Sequence, residues 1–411
     1  MTEHYDSLET RDPAEREQAL IQAVSAQVAH ARNNALVYKT LLADVDTDAI
    51  TDIGAIAKLP VTRKSALIEQ QQTDRPFGGY AAISAPELAH VFASPGPIYE
   101  PGNNRHDYWR FARTLFAAGI RPGDLIQNCF SYHFTPAGSM LDSGAHALGC
   151  SVIPAGVGQT ELQVQTIVDL SPQAYVGTPS FLKIILDKAD ELGSDVRSIN
   201  KAMVTGEALP PSLRTGFIDR GIRVQQCYAT ADLGAIAYES SAQQGLIIDE
   251  GVYLEIVRPG SGDPVNEGEV GEVVVTSLNP DYPLIRFATG DLSAIMPGIS
   301  PCGRTNKRIR GWMGRADQTA KVRGMFIHPE QVDRLVKRHP EIVRARLVIE
   351  WIDESDQIKL QCESASADES LKTALIDSIR EICKLRGEVE LVEPGSLPND
   401  GKVIDDIRQY D

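Results

Sequence analysis

Five short apolar runs in the middle of the chain do most to limit its fold. They are Leu125–Phe130, Cys150–Ile153, Ala174–Val176, Ala202–Val204 and Val224–Cys227. Each ends at a small residue or a turn. Between several of them, as in Glu161–Leu170 and Phe181–Leu192, apolar residues recur at helical spacing. Buried strands alternating with helices predict a mostly parallel sheet. Such sheets bind ligands beyond the carboxyl ends of their strands. Thr205-Gly206-Glu207 and Tyr228-Ala229-Thr230 fall there.

The flanks read differently. Asp12-Pro13-Ala14-Glu15 opens a helix, with a carboxylate cap, proline at the first position and glutamate at the third. A second helix is expected from Asp107 to Ala118, then a turn at Arg121-Pro122-Gly123-Asp124. After about Gly251 the pattern shifts. Val252–Val257 and Glu269–Thr276 alternate in part, which suits antiparallel strands with one solvated face. Beyond Gly314 the order is a turn, a helix (Pro329–Arg338), two strands (Arg344–Trp351, Ile358–Glu363), a helix (Glu369–Leu385) and a strand (Val389–Glu393). That is roughly a hundred residues, enough for a core of its own. The expected fold is α/β: a large N-terminal domain (residues 1–313) with mostly parallel sheets plus a β-rich part, and a small α+β C-terminal domain (residues 314–411). The boundary is placed at Gly314–Asp317.

Charge narrows the function. Lys and Arg number 40 against 56 Asp and Glu, a formal net charge of −16. A nucleic-acid partner is therefore not expected, because phosphate backbones attract basic surfaces. No apolar run approaches the ~20 residues that span a bilayer, so no membrane partner is expected either. The charged start, Met1 to Asp12, lacks the apolar core of a signal peptide. Six cysteines without a CxxC pair suggest free thiols in a reducing cytoplasm, not a disulfide scaffold or zinc cluster.

Three motifs then carry chemistry. Arg286-Phe287-Ala288-Thr289-Gly290-Asp291 comes first. Gly314-Arg315-Ala316-Asp317-Gln318-Thr319-Ala320-Lys321-Val322-Arg323-Gly324 follows, and Gly401-Lys402 lies near the end. With Ala57-Lys58-Leu59-Pro60-Val61-Thr62, Val152–Thr160, Pro283-Leu284-Ile285-Arg286, Cys302-Gly303-Arg304-Thr305 and Leu391–Pro398, nearly the whole chain resembles the phenylacetate–coenzyme A ligase branch of the adenylate-forming superfamily. The order of the pieces is specific; a lone Gly-Lys pair would be weak. The resemblance implies ATP, Mg²⁺ and coenzyme A as cofactors and co-substrates, a small carboxylic acid as substrate, and a homodimer. With so acidic a chain, any nucleotide site needs a local basic lining.

The resemblance also implies roles. Asp291 would accept the ribose hydroxyls with Arg315 beside it; the alternatives are an Asx turn and a surface arginine in an interdomain ion pair. Tyr228 would stack on adenine, with Ala229 and Thr230 adjoining and Gly206, Glu207 and Ala208 along the base edge. The alternatives are a half-buried core tyrosine and a plain strand-to-loop turn. Lys402 would neutralise charge at the α-phosphate as the acid attacks; the alternative is a solvated lysine near the terminus. The acid would lie near Tyr132, His133, Phe134 and Gly156, each of which also reads as a loop or core residue. Asp317 matches the hinge of the small domain, and Lys321, Arg323 and Gly324 match the coenzyme A entrance; the alternatives are a turn carboxylate and a solvated basic pair.

Two departures from the family stand out. Where relatives carry a hydroxyl-rich phosphate loop with a lysine, this chain has Ala93-Ser94-Pro95-Gly96-Pro97-Ile98-Tyr99-Glu100-Pro101-Gly102. Its prolines remove N–H donors, and Glu100 brings the wrong charge for phosphate. Asn103, Arg105 and His106 could partly substitute. In Tyr228-Ala229-Thr230-Ala231-Asp232, Ala231 replaces a hydroxyl residue and Asp232 replaces glutamate. Asp232 is the candidate Mg²⁺ ligand; the alternative is a helix N-cap. The leading expectation is an AMP-forming ligase joining a small, aromatic or related, acid to coenzyme A. The alternatives are a different acceptor or an adenylate-binding protein with little turnover.

Overall fold

The computed structural model describes residues 4–94, 98–316, 318, 320–323, 325–352, 355–365 and 368–408, without the side chains of Lys321 and Phe326. Two compact units emerge. One holds Met1–Leu254, Val275–Phe287 and Met296–Trp312; the other holds Glu255–Val274, Ala288–Ile295 and Met313–Asp411.

In chain order the strands begin with β1 (Thr62–Arg63), the hairpin β2 (His90–Ser94) and β3 (Ile98–Gly102), β4 (Leu125–Asn128) and β5 (Ser151–Ile153). Next come β6 (Ala174–Gly177), β7 (Lys201–Val204), β8 (Arg223–Thr230), β9 (Gly234–Glu239) and β10 (Leu246–Ile248). Then follow β11 (Val252–Val257), β12 (Gly271–Ser277), β13 (Phe287–Ser293), β14 (Ile295–Met296) and β15 (Arg308–Ile309). The nine-stranded sheet has the order β14-β15-β10-β9-β8-β7-β6-β4-β5. Strands β5, β4, β6, β7 and β8 are mutually parallel, while β8, β9, β10 and β15 pair antiparallel. All five apolar runs that open the sequence reading are the parallel strands. A second sheet runs β1-β13-β12-β11.

Both faces of the parallel sheet are covered, which is why its strands lack polar alternation. On one face Tyr175, Ala202, Val204 and Val224 meet Leu182, Ile185, Leu186 and Ala189 of the helix Pro179–Leu192. Those four recur at helical spacing. The helix starts where the Thr178 hydroxyl accepts from the Phe181 N–H at 3.3 Å, and it stops at Gly193, φ +64. On the other face Ile126, Val176 and Met203 pack against Phe111, Leu115, Met140, Leu141 and Ala145. Each such buried Val, Leu, Ile, Phe or Met side chain contributes roughly 1.5–3 kcal/mol.

The first helix runs Pro13–Asn34, and Asp12 Oδ1 accepts from the N–H groups of Ala14 and Glu15 at 2.8 and 3.2 Å. The helix expected from Asp107 is shorter, Phe111–Ala117. Asp107 and Arg110 take left-handed φ of +47 and +65, which no helix tolerates. The Asp107 carboxylate caps the later start by accepting from the Ala112 N–H at 3.1 Å.

The second unit contains β16 (Ala320–Val322), β17 (Met325–Ile327), β18 (Ile342–Ile352), β19 (Ser355–Ser364), β20 (Glu388–Val392) and β21 (Ile404–Asp406). The sheet β20-β19-β18-β21 packs Leu347, Ile349, Leu360 and Cys362 against the helices Pro329–Arg338 and Glu369–Cys383. The second helix ends at Lys384, φ +58. Among the described residues, no helix is long and apolar enough to cross a membrane.

Candidate functional site

Beyond the carboxyl ends of β7 and β8 the sequence-predicted adenine residues lie side by side. Gly206, Glu207 and Ala208 leave β7 as an exposed loop, and Gly206 has φ +84. The Thr205 hydroxyl donates to the Cys227 carbonyl at 2.8 Å and ties the two strand exits together. Tyr228, Ala229 and Thr230 end β8 half-buried, with a bulge between Tyr228 and Ala229. The return into β9 needs glycine at 234. Its φ is +72, and a Cβ there would sit 2.7 Å from the Trp109 carbonyl oxygen.

The predicted acid residues lie beyond β4 and β5. Asn128 Nδ2 reaches the Tyr132 hydroxyl (2.8 Å), the Gly138 carbonyl (2.9 Å) and Asp142 Oδ1 (2.9 Å). The Tyr132 hydroxyl donates to Asp142 Oδ1 at 2.7 Å. Burial, and then Asp142, push that phenol well above its ordinary pKa. The Tyr132 polar tip is thus committed to holding its turn, and its ring lies over Gly138, where a Cβ would come within 2.7 Å. His133 and Phe134 are exposed, and their rings meet edge-on at 4.5 Å. Phe134 is 67% exposed in a left-handed conformation, φ +63, and its carbonyl accepts from the Ala93 N–H at 2.9 Å. Gly156, φ +67, donates to the Asn128 carbonyl at 2.9 Å, so the exits of β4 and β5 converge.

A buried charge cluster adjoins the phosphate-loop hairpin. Asp232 Oδ2 receives the Lys64 ammonium at 2.8 Å, with the Asp232 side chain 1% exposed. The strand β9 follows Asp232, so it caps no helix. Its Oδ1 is buried without a hydrogen-bond partner. Glu100, on β3, is 1% exposed; Oε1 accepts from the Ser94 hydroxyl and Oε2 has no partner. Burial, then the charge of Asp232, push the Glu100 carboxyl up to about 8. The hydroxyl of Tyr282, also buried without a partner, is pushed well above its ordinary pKa by burial, then by Asp232 and Glu100. Lys64 and Tyr282 escaped the sequence reading. The one local signal was Thr62-Arg63-Lys64 directly after the matched segment Ala57–Thr62. One buried carboxylate oxygen without a partner is a fit for a divalent cation at Asp232.

In the second unit Asp291 and Arg315 form a backbone bridge, and Arg315 Nη1 donates to Asp291 Oδ1 at 2.9 Å. Gly290 is required between them: φ is +75, and a Cβ would lie 2.7 Å from Arg315 Nη2. Asp291 sits within β13, so its setting is a strand and not an isolated Asx turn. Gly401, φ +72, packs against Leu292 and Val270; a Cβ would lie 3.1 Å from Leu292 Cδ2 and 2.7 Å from Val270 Cγ1. The turn that precedes Lys402 is thus anchored against the side chains of Leu292 and Val270. Gln318, unremarked in the sequence, holds this turn. Its Nε2 donates to the Gly401 carbonyl at 3.0 Å, and its Oε1 accepts from the N–H groups of Val403 and Ile404. The Lys402 ammonium lies 2.6 Å from Asp405 Oδ1.

Arg286 is buried in the first unit, donating to the carbonyls of Ala57 and Leu59 at 2.7 and 2.6 Å. It staples the early segment. Arg323 is exposed, its N–H donating to Asp356 Oδ2 at 2.8 Å. Asp317, Gly324 and the loop residues Pro95, Gly96 and Pro97 lie outside the described residues, as does the side chain of Lys321.

Comparison with known proteins finds similar sequences and folds. The family described as AMP-binding enzyme matches residues 120–279. A phenylacetate–coenzyme A ligase of Thermus thermophilus is 31% identical, over 82% of this chain and 78% of its own. One of Pseudomonas putida is 28% identical, over 95% of this chain and 86% of its own. An open conformation of 2-hydroxyisobutyryl-CoA ligase, in complex with 2-HIB-AMP and CoA, superposes with a TM-score of 0.73 at 25% identity, covering 97% of this chain and 92% of that one.

Proposed function

The chain belongs to the phenylacetate–coenzyme A ligase family of AMP-binding enzymes, and we infer from that membership how its own residues work. It activates a carboxylic acid with ATP as the acyl-AMP and transfers the acyl group to coenzyme A. In the first step a carboxylate oxygen attacks the α-phosphorus, the bond to the β-phosphate bridge breaks, and pyrophosphate leaves. In the second, the coenzyme A sulfur attacks the acyl carbonyl. The bond to phosphate breaks, AMP leaves and the thiol proton passes to solvent.

Tyr228 lays its ring on adenine, between Ala229, Thr230 and the Gly206–Ala208 loop. Asp291 receives the ribose hydroxyls, its carboxylate oriented by Arg315. Lys402 offsets the charge that grows at the α-phosphorus. Asp232 is the residue that would hold Mg²⁺, which would supply positive charge to offset that of the phosphates. Phe134, exposed with its ring against that of His133, offers a flat apolar wall suited to a small aromatic acid, and Tyr132 and Gly156 shape the neighbouring strand exits. Residues 314–411 act as the small mobile domain, turning at Asp317, so that Lys321, Arg323 and Gly324 meet coenzyme A in the second step. The enzyme works in the cytoplasm as a homodimer, which light scattering of the purified chain tests.

The observation that best supports this reading is the Asp291–Arg315 contact: Asp291 lies on β13 and Arg315 Nη1 donates to its Oδ1 at 2.9 Å. The test is acid-dependent exchange of labelled pyrophosphate into ATP, across a panel led by arylacetic and small hydroxy acids. Exchange with one or a few acids is expected. None with any acid would overturn the mechanism.

A further inference from the structure

A lysine that acts on one atom of a substrate needs a fixed base, because a misplacement of about 1 Å at a reacting centre can cost ~10² in rate. Lys402 has such a base. Its side chain is half exposed, yet the backbone around it is tied down group by group. The Lys402 N–H donates to Asp400 Oδ1 at 3.0 Å. The Val403 carbonyl accepts from the Leu347 N–H at 2.8 Å, where β21 starts its parallel pairing with β18. Three further groups, the Gly401 carbonyl and the N–H groups of Val403 and Ile404, all go to one side chain, that of Gln318.

Chemistry says why this residue is a glutamine. Two N–H groups need an acceptor and one carbonyl needs a donor, and a side-chain amide carries both. Gln318 Nε2 donates to the Gly401 carbonyl at 3.0 Å, and Oε1 accepts from the Ile404 N–H at 2.8 Å as well as from that of Val403. Glutamate would keep the acceptor, lose the donor and set a charge against the carbonyl. Asparagine offers the same groups on a side chain one methylene shorter. Gly401, φ +72, turns the chain so that these groups meet the one amide. The link is also long-range: 83 residues separate Gln318 from Gly401. Gln318 directly follows Asp317, so the amide joins the Lys402 turn to the residue next to the proposed hinge.

We propose that Gln318 is a positioning residue for the adenylation step: it fixes the base from which Lys402 reaches the α-phosphorus, and makes the Lys402 turn move as one body with the segment just after the hinge. This rests on the ligase reading, in which Lys402 serves that step. Gln318 touches no reacting atom and acts through Lys402. Its loss should therefore damage the half-reaction that uses Lys402 and spare the one that does not. Once Lys402 is gone, loss of Gln318 should cost that half-reaction little more, because residues that act as a unit are not additive.

The experiment is a double-mutant cycle on the full-length chain, with Gln318→Leu, Lys402→Ala and the pair. Each is assayed for acid-dependent pyrophosphate exchange, with the acid that serves the wild type best, and for transfer from synthetic acyl-AMP to coenzyme A. Gln318→Leu should lower exchange by about 10–10²-fold and leave transfer near the wild-type rate. Gln318→Glu, which keeps the two accepted bonds, should recover part of the exchange. The pair should exchange no more slowly than Lys402→Ala alone. Hydrogen–deuterium exchange of the substrate-free chain should speed up at the Val403 and Ile404 amides in Gln318→Leu. Should Gln318→Leu fail to fold, Gln318→Glu takes its place in the cycle, with a smaller fall expected. Wild-type exchange that Gln318→Leu leaves unchanged overturns the proposal. So does an equal loss in both half-reactions, or a full further loss on top of Lys402→Ala. Absent exchange in the wild type with every acid is instead the failure of the ligase reading, and the amide rates, read without substrate, tell the two failures apart.

Discussion

Replacing Lys402 with alanine separates two magnitudes that a structural role would keep together. The Lys402 side chain is 48% exposed, and its ion pair with Asp405 is a short-range surface contact. Such pairs are worth ~0.2–1 kcal/mol. The variant should therefore melt within about 2–3 °C of the wild type, given the usual conversion for domains of this size. Loss of one preorganised charge at a reacting centre costs far more, ~2.7–4 kcal/mol, or about 10²–10³ in rate. Acid-dependent pyrophosphate exchange should fall by that factor. Transfer from synthetic acyl-AMP to coenzyme A should fall much less, because that step has no attack on phosphorus. Lys402→Arg should restore folding contacts but only part of the exchange rate, since a guanidinium is not a compact point charge. A loss of exchange below tenfold would refute the assignment. So would an equal loss in both half-reactions.

Asp291→Asn should raise the KM for ATP about tenfold, the equivalent of one charge-assisted hydrogen bond, with little change in melting; an unchanged KM removes Asp291 from the ribose site. Arg286→Met should destabilise the first unit by about 2–5 kcal/mol in urea unfolding, because it strands the buried Leu59 carbonyl and the partly buried Ala57 carbonyl; less than ~1 kcal/mol would mean they find water. Cys302 should be the first thiol to react with iodoacetamide at neutral pH. Burial pushes its pKa up, but hydrogen bonds with Ser240, Ser300 and Arg304 outweigh that and hold it below the ordinary value. By contrast, burial pushes Cys129, Cys227 and Cys362 up to about 12. Peptide mapping after brief alkylation reads the order, and faster labelling of Cys227 would contradict it.

The parallel sheet was legible because its strands are buried on both faces. A run such as Ala174–Val176 has to be apolar on successive residues, and the sequence shows that directly. Local motifs were legible for the same reason that they are local. Gly290 and Gly401 mark left-handed turns where a Cβ would collide, so the Asp291 and Lys402 neighbourhoods announce themselves. The start of the helix after Asp107 was not legible, since nothing in the spacing forces Asp107 and Arg110 into positive φ. The charge cluster was illegible for a different reason. Lys64 and Asp232 are 168 residues apart, and a long-range ion pair leaves no periodic trace. Glu100 reads from sequence as a misplaced loop charge; its burial in β3 and its bond from the Ser94 hydroxyl are seen only in the structure. Gln318 likewise looks like a bland polar residue until its amide is seen on both sides of Lys402.

The most direct measurement is the product balance. The purified chain is incubated with ATP, Mg²⁺, coenzyme A and each acid of the panel, and the mixture is resolved by mass spectrometry. Equal amounts of AMP and an acyl-coenzyme A thioester, both absent when the acid is withheld, are the predicted result. ADP in place of AMP, or AMP without thioester for every acid, would contradict it.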